Sequence, residues 1–130
     1  MIVVDASALL EVLLRTPAAN AIESRIFDSG QALNAPHLID IEVAQVLRRY
    51  SAAGILDEAR GRELLRYSAG LPMRRSPHYV LLPRVWALRH NLTAYDAVYV
   101  ALAEALDAPL LTHDRRLAGA SGHRARVELV

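Results

Sequence analysis

Two short apolar runs constrain this chain more than anything else in it. Ile2-Val3-Val4 and Pro109-Leu110-Leu111-Thr112 show no alternation of polar and apolar residues, and each is followed closely by an aspartate. Continuous apolarity marks strands covered on both faces, which is how strands sit in a parallel sheet. The residues between them read as helices. One runs from about Ser7 to Leu14; a second opens with Thr16 as N-cap and Pro17 at the first helical position, and ends before Gly30. Ala32-Leu33-Asn34-Ala35 reads as a weak strand closed by Pro36, and Leu38 to Ala53 as a helix with Ile39, Val43, Val46, Leu47 and Tyr50 on one face.

Further along, Asp57 caps a helix to Ala69, Leu71 to Ser76 forms a third short strand, and His78 to His90 reads as helix. Thr93-Ala94-Tyr95-Asp96 has the form of a capping box with Asp in place of Glu, leading a helix to Leu106. Asp114 to Ala118 is a helical turn, and Arg126 to Leu129 an edge strand. Strands alternating with helices predict an α/β fold: a three-layer α/β/α sandwich around a central, mostly parallel sheet. With 130 residues, no internal repeat and no linker-like shift in composition, residues 1–130 are read as one domain.

Inventory removes several chemistries. No cysteine is present, which excludes disulfides, thiolate zinc sites and cysteine nucleophiles, and accords with a cytoplasmic protein. All 15 basic residues are arginine, so a P-loop lysine and a Schiff-base lysine are excluded as well. The chain is 53% hydrophobic, yet no apolar run reaches the roughly 18 residues of a membrane span, and with Met1 leading directly into Ile2 no secretory leader is expected. A formal net charge of +1 argues against a basic coat for nucleic acid while leaving room for local arginine patches.

In an open parallel sheet, ligands bind beyond the carboxyl ends of the strands. Asp5 and Asp114 fall there, and so do the hydroxyls of Ser7 and Thr112. Each acid is equally read as a helix N-cap, and each hydroxyl as satisfying turn backbone. Glu42 lies beside the apolar stripe of its helix, where an unpaired carboxylate is costly; a pair with Arg49 or with another neighbour is the competing reading. Asp96 is either the acidic arm of the Thr93 box or a carboxylate delivered to an interior cleft by the apolar helix behind it. Asp40 is read as a structural acid near a helix N-terminus, and Glu11 and Glu104 as solvated positions. If Asp5, Glu42, Asp96 and Asp114 converge, their repulsion calls for a divalent cation, and oxygen-only ligation suits Mg²⁺ or Mn²⁺. The five histidines have no metal-ligand spacing.

Four segments, in order, resemble the PIN-domain ribonucleases, and among them the VapC-type toxins of bacterial toxin–antitoxin modules. They are Ile2 to Leu9, Ile41-Glu42-Val43, Tyr95 to Ala103, and Leu110 to Leu117. The resemblance implies a PIN-like fold over the whole chain. It makes Asp5, Glu42, Asp96 and Asp114 the acidic metal-binding and catalytic set, with Ser7 and Thr112 as supporting hydroxyls. It implies a Mg²⁺- or Mn²⁺-dependent endoribonuclease that leaves a 3′-hydroxyl and a 5′-phosphate. A homodimer and a VapB-type antitoxin that alone contacts operator DNA are implied as partners, with no membrane association.

Arg115 and Arg116, beside Asp114, are the arginine pair best placed to touch RNA. The first helix holds more apolar residues than one stripe needs, which means either simple burial or an exposed groove for an antitoxin segment, with Leu13 and Leu14 as its test positions. Two other functions compete. One is a catalytically weak PIN-like module for RNA binding or complex assembly. The other is an aspartate-nucleophile phosphohydrolase, which lacks here both a second Asp at position 7 and a lysine.

Overall fold

In the computed structural model, which describes residues 1–28 and 30–130, both apolar runs are interior strands. The elements are β1 (Ile2–Val4), α1 (Ala6–Leu13), α2 (Ala19–Phe27), β2 (Leu33–Pro36), α3 (Leu38–Ala52), α4 (Glu58–Ala69) and β3 (Met73–Ser76). A 3₁₀ turn (Tyr79–Leu81), α5 (Leu82–Ala87), α6 (Ala94–Leu106), β4 (Leu110–Thr112), α7 (Arg115–Ala118) and β5 (Val127–Leu129) complete it. Every strand pairing is parallel, in the order β3-β2-β1-β4-β5. Helices α1 to α4 pack on one another, and α5 packs on α6, giving helical layers around the sheet as expected of an α/β/α sandwich.

The topology places the site. From β1 the chain builds outward through β2 to β3, then crosses back to lay β4 on the other side of β1. Strand order reverses between β1 and β4, and a crevice opens beyond their carboxyl ends. Val4 pairs with Leu111, and the Asp5 N–H donates to the Leu111 carbonyl at 3.1 Å. Asp5 and the turn after Thr112 therefore leave the sheet side by side. Helix α6 is buried without interruption from Ala97 to Ala103, so its first turn is anchored at the same crevice.

Several expectations are corrected. Thr16 and Pro17 do not open α2, which starts at Ala19; the Thr16 hydroxyl bonds the Glu11 carboxylate instead of capping a helix. Strand β2 starts at Leu33 and includes Pro36, whose missing N–H costs nothing at a strand end. The segment from His78 to His90 splits into the 3₁₀ turn and the short α5, because Pro83 can stand only in a helix's first turn. The apolar surplus of α1 is core: Ala8, Leu9, Leu10, Val12 and Leu13 are all buried, and only Leu14 reaches the half-buried range. That overturns an exposed docking ridge on this helix. Glu104 is not solvated either, since its side chain is 2% exposed and takes Nε and Nη2 of Arg84 at 2.7 and 3.0 Å.

Candidate active site

Asp5 ends β1 in extended conformation and caps α1, with Oδ1 accepting the Ala8 N–H at 2.9 Å. The Ser7 hydroxyl donates to the same Oδ1 at 2.7 Å, and the Thr112 hydroxyl donates to Oδ2. Both hydroxyls also accept. Ser7 Oγ takes the His113 N–H at 2.9 Å, and Thr112 Oγ1 takes the Asp114 N–H at 3.0 Å. Two short polar side chains thus tie the turn after β4 to the turn after β1, and Asp5 is fixed between them. The two readings of Asp5 do not exclude each other: it is a cap, and it lines the cleft.

The other three acids line the same cleft, of about 630 Å³. Glu42 sits in the second turn of α3, half-buried, and accepts the Tyr99 hydroxyl on Oε1 at 2.5 Å. The partner is Tyr99, not Arg49. Asp96 occupies the first turn of α6, where its N–H donates to Thr93 Oγ1 at 3.2 Å. Its carboxylate does not close the capping box but accepts Arg116 Nη2 at 3.1 Å. Asp114 caps α7, with Oδ1 accepting the N–H groups of Arg116 and Leu117 at 2.8 and 3.4 Å. Arg116 lines the cleft, whereas Arg115 is exposed outside it, so the arginine pair is separated by function of place. His113 is exposed and also stands outside the lining.

Tyr99 was not among the residues singled out from the sequence. It stands three positions after Asp96, hence on the same helical face, and its hydroxyl is the one polar tip in the run from Ala97 to Ala103. A polar tip in a buried apolar run needs a partner, and that was the available signal.

Charge in this cleft is held against its own preference. Burial raises the Asp5 carboxyl above its ordinary value despite the Thr112, Ala8 and Ser7 hydrogen bonds, and repulsion from Asp96 adds to the rise. Glu42 is raised by burial, opposed by Tyr99 and reinforced by Asp5 and Asp96. Asp96 is raised by burial, opposed by Arg116 and reinforced by Asp114. Tyr99, buried against Glu42, is held far above the ordinary tyrosine range and stays a donor.

The donor chemistry fits a hard dication: oxygen-only ligands, and four carboxylates whose ionised forms repel one another. Among the described residues, no three acidic or histidine side chains stand in ready-made chelating geometry. The cleft gathers the acids without clenching them.

The PIN domain family model matches residues 2–122. Ribonuclease VapC12 of Mycobacterium tuberculosis is 40% identical over 130 residues, covering 100% of this chain and 99% of its own length. Ribonuclease VapC1 of the same organism is 45% identical over 129 residues, covering 98% and 96%. VapBC2 from Rickettsia felis, solved bound to a DNA fragment from the promoter, superposes with a TM-score of 0.74 at 10% identity, over 99% of this chain and 98% of that one.

Proposed function

The chain belongs to the PIN-domain family and, within it, to the VapC group, and from that premise we propose that it is a metal-dependent endoribonuclease acting as the toxin of a toxin–antitoxin module. One observation carries the reading. Acids from four separate segments, Asp5, Glu42, Asp96 and Asp114, line one crevice at the switch point of a parallel sheet.

Asp5, Asp96 and Asp114, with Glu42, would hold Mg²⁺ or Mn²⁺, which supplies Lewis-acid stabilisation of the phosphodiester and lowers the pKa of a bound water. Ser7 and Thr112 hold Asp5 in one orientation, and the α7 cap holds Asp114 in another. Tyr99 donates to Glu42 Oε1 and fixes that carboxylate, which leaves Oε2 for the cation. Hydrolysis adds water across the P–O3′ bond and leaves a 3′-hydroxyl and a 5′-phosphate. A VapB-type antitoxin, through which alone the module would contact operator DNA, and a homodimeric state complete the proposal; the VapBC2 likeness supports the antitoxin.

The purified chain is to be tested on RNA with Mg²⁺ or Mn²⁺, with chelator, and as D5N and D96N. Cleavage that requires the metal and falls at least a hundredfold in both variants supports the reading. Full activity in both variants overturns it, and RNA that is bound but never cut replaces it with a binding module.

A further inference from the structure

We propose that Arg116 is a resident counter-ion of the acidic cleft, holding the position of the divalent cation until that cation displaces it. The inference rests on the metal-dependent reading above. Arg116 Nη2 lies 3.1 Å from Asp96 Oδ2 and 3.5 Å from Asp114 Oδ2, so one guanidinium bridges acids from α6 and from the start of α7. Its side chain is 72% exposed, and packing does not hold it there. The attraction is charge.

One of the oxygens it touches is the Asp114 oxygen a metal would need. Asp114 Oδ1 is committed to the α7 cap through the N–H groups of Arg116 and Leu117, which leaves Oδ2 for a cation. A dication bound to these oxygens at about 2.1 Å would stand close to the guanidinium, and the repulsion between the two cations drives the arginine off. Loading the metal is therefore an exchange of one cation for another. Arg115 provides the internal contrast, with equal formal charge one residue away and no place in the cleft lining.

Displacement leaves Arg116 tethered at the rim with its planar fork of donors unoccupied. A phosphate is the anion such a fork fits. The freed side chain then binds the RNA backbone beside the loaded metal, so the same residue weakens the empty site's hold on metal and strengthens the loaded site's hold on substrate.

The test is Mn²⁺ titration by calorimetry at pH 7.5 and low salt, without RNA, on the wild-type chain, R116Q and R115Q. R116Q is expected to bind Mn²⁺ up to about fivefold more tightly, the upper scale of one exposed ion pair removed, while R115Q stays within about 1.5-fold of wild type. On adding Mg²⁺ to the wild-type chain, the Arg116 Nε–H resonance is expected to move to the position of free arginine. Equal or weaker Mn²⁺ binding by R116Q overturns the counter-ion role and leaves the ribonuclease reading standing. Absence of Mn²⁺ uptake by wild type and R116Q alike overturns both.

Discussion

Substitution of Asp5 separates its structural work from its chemical work. In Asp5→Asn the amide oxygen still accepts the Ala8 N–H and the Ser7 hydroxyl that Oδ1 now accepts at 2.9 and 2.7 Å. The amide nitrogen faces Thr112 Oγ1, which has a second lone pair beside the one taken by Asp114 N–H, and the Thr112 proton turns to Ser7 Oγ, 3.2 Å away. Each hydrogen bond of the network is thereby kept or replaced. The buried charge, which the cleft disfavours, is gone. At pH 7.5 without metal, D5N is therefore expected within about 1 kcal/mol of wild type, on the stabilised side. Asp5→Ala loses the α1 cap, worth about 1 kcal/mol, and strands the hydroxyls it paired, for a total loss of about 2–4 kcal/mol.

Urea denaturation followed by circular dichroism, in chelator, reads both values, and both variants are expected to lose RNA cleavage. The pH dependence has a definite sign. Because the folded Asp5 carboxyl is raised above its ordinary value of 3.8, the folded chain takes up that proton first as pH falls. Wild type thereby gains stability on D5N as pH drops through the raised folded value toward 3.8, and the advantage of D5N shrinks. A loss of more than about 2 kcal/mol in D5N, or equal losses in D5N and D5A, would refute the reasoning, since either makes capping charge rather than cap geometry the main role of Asp5.

Glu104→Gln tests the buried ion pair that sequence reading missed. It is expected to cost about 2 kcal/mol at pH 7, less than a fully buried pair because Arg84 is one-third exposed. Arg84 holds the folded Glu104 carboxyl below 4.5, so this stability is present above 4.5 and lost as pH falls through the folded value. Denaturation midpoints of wild type and E104Q should accordingly converge in acid, and a constant gap would reject the assignment. Tyr99→Phe removes the donor that favours ionised Glu42. The acid limb of the cleavage profile should move to higher pH, with about 1–2 kcal/mol lost from stability. An unmoved profile would mean that Glu42 does not set that limb.

The fold was legible because its grammar is local. A three-residue apolar strand, an acid and a helix recur at β1 and β4, and parallel sheets demand that unit at their switch point. The capping residues Asp5, Thr93 and Asp114 each act within three positions of themselves, a range that sequence spacing resolves. Where a second partner competes, local rules fail. Thr16 has cap chemistry, yet the Glu11 carboxylate one helix earlier takes its hydroxyl, and α2 starts two residues late. Pro83 could stand in a first turn only by breaking the segment before it.

Contacts between residues distant in sequence left weaker traces. Glu42 and Tyr99 are 57 positions apart, and Arg84 and Glu104 are 20 apart. Composition could say that a carboxylate beside an apolar stripe needs a partner, but not which of fifteen arginines or five tyrosines supplies it. The arginine doublets show why. Arg115 and Arg116 are neighbours in sequence and are separated by about 100° around a helix, so one reaches Asp96 and the other does not. Arg75 turns inward to Asp40 at 2.7 Å and to the Ser68 carbonyl at 2.8 Å, while Arg74 beside it stays exposed in the alternation of a strand. Side-chain direction follows backbone period, and it decides whether an arginine belongs to the core, to the surface or to the cleft. For the cleft, the decision falls on Arg116, the side chain whose removal changes its charge while leaving all four acids in place.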